Sequence, residues 1–206
     1  MPILSRFNIF ISMSFTVLTI LNKMYCNNVN IMRKPAKVHN VVILVFDKAQ
    51  MLDIAGPSDV FGMANSFNDD IRYKVTCVSK RGGPVLCTNG LHLDSRSILQ
   101  FTRSKVDTLI VAGAEQKGLS AGSLDPEIEA WVTKVSLTAK RVASVCVGSF
   151  ALAHWGLLTN RKATCHWAAV DRLQGLYPSV VVDRSAIFVQ DDQIWTAGGV
   201  TTGIDL

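Results

Sequence analysis

At 206 residues, 49% hydrophobic and only 18% charged, the chain is long enough to bury the core of one domain without disulfides or a structural metal. Its net charge of +5 comes from scattered Lys and Arg, with Lys23, Arg33, Lys34 and Lys37 all ahead of the first apolar strand, so charge alone does not mark a nucleic-acid surface. Five cysteines, an odd number with no CxxC or Cys/His ligand spacing, argue against a disulfide framework and against a zinc site, and fit reduced thiols in the cytoplasm.

Residues 1–37 read as an N-terminal extension. Arg6 followed by the apolar run from Ile9 to Leu21 has the order of a signal peptide's basic and hydrophobic regions. Asn22 to Cys26 nevertheless offers no small-x-small cleavage site, and the run is shorter than the roughly 20 apolar residues of a membrane span. Residues 1–31 also lack Ala, Gly, Asp and Glu. Three readings stand: translated upstream sequence with the natural start at Met32, a genuine signal or anchor that would export the protein or hold it on a membrane, or an element of the domain. The cytoplasmic reading carries no stable membrane association.

From residue 38 onward the pattern is that of one α/β domain. Val41 to Phe46 is an uninterrupted β-branched and aromatic run, the mark of a strand buried on both faces. Leu52 to Asn65 predicts a helix, with Gly56-Pro57 near its start where proline is tolerated. Tyr73 to Ser79 predicts a second strand, and Val85 to Leu93 a hairpin around Asn89-Gly90. Thr108 to Val111 is a short buried strand ending in Gly113-Ala114. Asp125 and Pro126 cap and open a helix running to about Lys140. Arg141 to Val145 is the next strand, and Gly148 to Trp155 a helix stopped by Gly156. A short strand at Ala163 to Cys165, a helix from about Trp167 to Leu176, a strand at Val180 to Asp183 and a hairpin over residues 187–196 follow. Gly203 to Leu206 reads as the first turn of a helix, whose abrupt end gives the chain a truncated look. Strands alternating with helices imply a mostly parallel sheet covered on both faces, a flavodoxin-like three-layer α/β sandwich.

Ligands of open α/β sheets bind beyond the carboxyl ends of the strands, and Asp53, the Gly113-Ala114 turn and Cys146 all fall there. Cys146 stands between a strand and a helix, so a tight turn would present its sulfur at a helix N-terminus, a position that lowers a thiol pKa from about 8.5. The backbone N–H groups of Val147 and Ala114 are candidate oxyanion donors, with Gly113 beside them. Cys77 and Cys87 read as small core hydrophobes, whereas Cys165 fits either core or pocket wall. Of the four histidines, His39 and His92 read as surface residues and His154 as a packing or helix-end residue. His166 is left as the candidate base. Asp53 is either a carboxylate stabilised by the start of its helix or a pocket acid bonded to the thiol.

Several ordered motifs carry a family resemblance: Leu52-Asp53-Ile54-Ala55-Gly56-Pro57 with Asp59-Val60-Phe61; Val145-Cys146-Val147-Gly148-Ser149-Phe150; Ala163-Thr164-Cys165-His166-Trp167; and Gly198-Gly199-Val200-Thr201-Thr202-Gly203-Ile204-Asp205-Leu206. Together, from about Val41 to the end, they resemble the ThiJ/PfpI (class I glutamine amidotransferase-like) superfamily, and within it the N-terminal domain of GlxA-type regulators of the AraC family. The resemblance implies an elbow cysteine at Cys146, a facing acid at Asp53 and His166 nearby. It implies no cofactor, an unidentified small-molecule ligand, a homodimer, and DNA contact only through a C-terminal helix-turn-helix domain that this chain lacks. Isonitrile hydratase is the enzymatic relative by pattern, but its cysteine is followed by threonine where this chain has Val147. A glutaminase needs a downstream His-x-Glu, and no histidine follows His166. The expected function is therefore ligand sensing and dimerisation for a transcriptional regulator, the alternative being a cysteine-dependent hydratase or hydrolase in which Cys146 attacks an electrophilic carbon.

Overall fold

A computed structural model describes residues 35–101, 105–199 and 201–204, and residues 36–206 make up one compact unit. The readings made for residues 1–34 lie outside the described residues. Ten strands and five α-helices alternate: β1 (Lys37–Leu44), α1 (Met51–Phe67), β2 (Ile71–Ser79), β3 (Gly83–Leu86), β4 (His92–Ser97), β5 (Thr108–Val111), α2 (Gln116–Ser123), α3 (Pro126–Ser136), β6 (Arg141–Val145), α4 (Gly148–His154), β7 (Lys162–Ala163), α5 (Val170–Leu176), β8 (Val181–Val182), β9 (Phe188–Asp191) and β10 (Ile194–Ala197). The main sheet runs β3-β4-β2-β1-β5-β6-β10-β9, parallel throughout except for the antiparallel edge pairs β3/β4 and β10/β9. β7 and β8 form a separate two-stranded parallel ribbon. This is the flavodoxin-like arrangement that the strand and helix alternation implies.

The apolar runs become strands because a central parallel strand has no wet face. Val41, Val42, Ile43 and Leu44 are fully buried, their side chains dividing between two cores on opposite faces of the sheet. On one face Val42, Leu44, Leu109 and Val142 pack with Trp131, Val132, Leu152 and Leu173. On the other, Val41, Ile43, Ile110 and Val145 pack with Ile54 of α1. Burying a side chain of this size contributes about 1.5–3 kcal/mol.

Local chemistry sets the ends of the elements. Asp125 Oδ1 accepts the N–H groups of Glu127 and Ile128 at 3.0 and 3.3 Å, and Pro126 occupies the first turn of α3, as expected from sequence. α4 stops at Gly156, with φ of +74°, and Leu157 N–H donates back to the Leu152 carbonyl at 2.9 Å.

Several elements differ from the sequence reading. β1 begins four residues early, because Lys37 to Asn40 pair with Ile71 to Lys74 although two of them are exposed. α3 ends at Ser136 rather than near Lys140. α1 begins at Met51, which places Pro57 in its second turn, where the missing N–H leaves the Asp53 carbonyl without its i+4 donor. Helix α2 has no sequence signal, since Gln-Lys-Gly-Leu-Ser-Ala-Gly-Ser holds two glycines and one large apolar residue. It exists because Gly122 lets the helix lie directly on the Phe46 ring. His39, read as a surface residue, is half-buried, its Nε2 2.9 Å from Thr108 Oγ1 and its ring beside Tyr73.

Candidate functional site

The sheet order reverses about β1, with β2 on one side and β5 on the other, and such a switch point opens a crevice at the carboxyl ends of the strands. Three loops meet there. The first leads from β1 into α1 and is fixed by Gln50 N–H donating to the Gly113 carbonyl at 2.9 Å. The second follows β5 through Ala112, Gly113 and Ala114. The third is the β6–α4 elbow at Cys146.

Cys146 has φ of +58°, a left-handed conformation that a residue with a Cβ adopts only when its surroundings impose it. Here they do: Cys146 N–H donates to Ala197 of β10 at 3.1 Å, and Ser149 Oγ donates to the Cys146 carbonyl at 3.3 Å. Gly148 then begins α4 so close to the Val111 carbonyl that a side chain there would collide with it. The turn is therefore held on both sides, and its thiol points away from the strand with only 8% of the residue exposed.

Asp53 in the first turn of α1 has no exposed surface, and its Oδ2 accepts the Gly113 N–H at 3.0 Å. A Cβ placed on Gly113 would lie 2.6 Å from Asp53 Oδ2, 3.0 Å from Cys146 Cβ and 3.2 Å from Val147 Cγ2. The carboxylate, the cysteine and Val147 thus converge on the space that a bare glycine leaves. Gly199, with φ of +103°, closes the opposite side: a Cβ there would sit 2.5 Å from Cys146 Cβ and 2.9 Å from its Sγ. Gly199 belongs to the Gly198-to-Leu206 motif, but its packing on the thiol had no sequence signal of its own, because the contact joins residues more than fifty positions apart.

The thiol's proton affinity runs opposite to the expectation from its helix-terminal position. Burial, and then the Asp53 carboxylate, push Cys146 up to about 12, while the bond from the Val147 N–H pulls in the other direction and is outweighed. Val147, the residue that caps this seven-residue helix, supplies that N–H. Cys165 is buried, donates its S–H to the His166 carbonyl at 3.5 Å, and is likewise pushed up, to about 11, by burial. Of the two readings left open for it, it packs in the core and also lines a cavity.

Two cavities flank the elbow. One, of about 180 Å³, is bounded by Ala114 and Val147, the two candidate oxyanion donors, and by Gln116, Phe150, Arg172 and Tyr177. The other, of about 380 Å³, contains His166, Trp167, Arg184, Ser185 and Thr201 and reaches the thiol side of the elbow at Gly199. The structure therefore gathers Cys146, Asp53, Gly113 and Val147 around one point and sets Ala114 and Val147 on one cavity wall. His166 stands in the other cavity, where its Nδ1 accepts the Ala168 N–H at 3.3 Å as the cap of a short helical turn. That bond orients the ring and leaves Nε2 for a ligand. Among the described residues no group of His, Cys, Asp and Glu is arranged to hold a metal ion.

Known proteins resemble the chain over most of its length. The family model described as the DJ-1/PfpI family matches residues 39–206. The chain is 33% identical over 144 residues to the HTH-type transcriptional regulator CdhR of Pseudomonas aeruginosa, a match covering 70% of this chain and 41% of the regulator. It is 35% identical over 164 residues to isonitrile hydratase of Pseudomonas putida, covering 79% of this chain and 66% of that enzyme. The structure superposes on the crystal structure of a ThiJ/PfpI family protein from Pseudomonas syringae with a TM-score of 0.71 and 29% identity, over 84% of this chain and 69% of that one. The chain thus spans less than half the length of the regulator it matches.

Proposed function

Because the chain belongs to the DJ-1/PfpI family, with both AraC-type regulators and isonitrile hydratase among its relatives, we propose that it is a ligand-sensing domain of the regulator type. In this reading it takes up a small molecule beside Cys146, pairs with a second copy of itself in the cytoplasm, and reaches DNA only through a helix-turn-helix domain outside this chain. One observation carries the choice between the two relatives. A hydratase needs a thiolate, and here burial and the Asp53 charge keep the Cys146 thiol protonated far above neutral pH. The backbones of Gly199 and Gly113 pass close to the same residue, where any side chain would collide with it.

The alternative is cysteine-dependent hydration or hydrolysis. The Val147 N–H bond to the sulfur and the Asp53 carboxylate beside it favour that alternative, since transfer of the thiol proton to Asp53 would release the nucleophile. In it, the Cys146 sulfur bonds to the carbon while its proton passes through Asp53 to the substrate, and the Val147 and Ala114 amides hold the developing anion; water then adds to the same carbon, the C–S bond breaks, and the sulfur regains a proton, with His166 Nε2 meeting the ligand from the second cavity. The deciding experiment measures hydration of an alkyl isonitrile by the wild-type chain and by Cys146→Ser. No turnover above buffer in either protein is the expected result. Turnover in the wild type that disappears in Cys146→Ser would overturn the sensing assignment. No helix among the described residues is long and apolar enough to cross a membrane.

A further inference from the structure

We propose that the cavity between α2, α4 and α5 binds a small organic carboxylate and that Arg172 is its anion contact. The proposal rests on the sensing reading and names the chemistry of the ligand.

The cavity wall holds one charged group. Of the lining residues Arg172 alone carries charge; the others, Gln116, Ser120, Phe150 and Tyr177 among them, are neutral. The two nearest acids in sequence do not line the cavity: Glu115 is exposed before α2, and Asp171 Oδ1 accepts Arg184 Nε at 2.9 Å. Among the described residues Arg172 forms no ion pair, and although the residue is exposed its head has two partners. The guanidinium carbon stands 5.6 Å over the centre of the Phe150 ring, and Nη1 donates to Gln116 Oε1 at 3.3 Å. A guanidinium has five N–H donors in a rigid fork that matches a carboxylate through two parallel bonds, and one used on Gln116 leaves the fork available.

The remaining wall sets the ligand's size and body. A volume of about 180 Å³ is below the roughly 300–1,000 Å³ of sites for drug-sized ligands, so the occupant has about ten heavy atoms. Phe150, Leu119 and Val147 present carbon, and the hydroxyls of Ser120 and Tyr177 give neutral polar contacts. An ion with no apolar body would leave that carbon wall wet. The occupant would lie against Ala114 and Val147, next to the elbow, where its presence is felt by Cys146.

Benzoate is a probe of this size, benzamide its neutral counterpart of the same shape, and inorganic phosphate an anion without an apolar body. Thermal unfolding of the full chain in a concentration series of each gives their affinities, since a ligand that binds only the folded state raises the melting temperature. Benzoate is expected to stabilise the wild-type chain, and benzamide and phosphate to bind at least about tenfold more weakly. Arg172→Met keeps the stem over Phe150 and should weaken benzoate by about tenfold or more, with Arg172→Lys intermediate because it retains charge without the fork. Unliganded melting of each variant separates lost binding from lost folding. Equal binding of benzamide, equal binding of phosphate, or benzoate binding that survives Arg172→Met would each overturn the proposal. None of these results touches the sensing reading, which stands or falls on isonitrile turnover.

Discussion

Asp53→Asn tests the electrostatics of the elbow most directly. The substitution removes one negative charge and keeps the shape and an oxygen able to accept the Gly113 N–H, so the loop geometry survives. Asp53 Oδ2 and Cys146 Cβ both lie within 3.0 Å of the point where a Gly113 Cβ would stand. At an effective dielectric constant of about 20, unit charges about 4 Å apart repel by about 4 kcal/mol. Burial is the larger cause of the raised thiol, so the carboxylate accounts for a fraction of this, taken here as about 1.4 kcal/mol, or tenfold in thiolate population. A less basic thiolate is also a weaker nucleophile, by about threefold for each tenfold gain in population, so alkylation at pH 8 should accelerate by about threefold. Iodoacetamide alkylation of Cys146, followed by mass spectrometry across pH 7–10, measures it. In the wild type the rate should still be climbing at the top of that range. A plateau near pH 8 in the wild type, or an unchanged or slower rate in Asp53→Asn, would refute the reasoning, because Asp53 would then be acting as a proton donor to the sulfur rather than as a charge opposing it.

Three further outcomes follow from other residues. Gly199→Ala combines a left-handed backbone with a Cβ 2.5 Å from Cys146 Cβ, and should cost about 2–5 kcal/mol in chemical denaturation; a loss under about 1 kcal/mol would show that the loop relaxes freely. Buried Ser144 Oγ in β6 has no hydrogen-bond partner among the described residues, so Ser144→Ala should be neutral or should stabilise the fold by about 1 kcal/mol; clear destabilisation would mean that the hydroxyl has a partner. Burial raises the Asp107 carboxyl, but the Asn40 N–H, Lys105 and the His39 charge more than compensate and hold it below the usual range. A depressed carboxylate contributes stability above its unfolded pKa of about 3.9 that is lost as pH falls through its lower folded value. Asp107→Asn should therefore flatten the acid limb of the stability curve below about pH 4, and an unchanged limb would assign acid lability to other groups.

The residues that reported themselves in sequence did so through local chemistry. Val41 to Leu44 could only be a doubly buried strand, Asp125-Pro126 could only open a helix, and Gly156 stopped one, because each signal lies within a turn or two of its effect. Helix α2 was invisible because its stability comes from Gly122 against Phe46, a packing event and not a propensity. The convergence of Cys146 and Asp53 was legible as two residues at strand ends, while Gly199, Arg172 and the two cavities were not, since they join segments far apart in the chain.

The sequence by itself thus determined the alternation of strands and helices, the parallel sheet, and the placement of Cys146 on an elbow at its carboxyl edge. The tertiary structure alone decided the state of the thiol. A helix N-terminus favours a thiolate, but burial and the charge of Asp53 act through space, and they outweigh the single N–H that local sequence supplies.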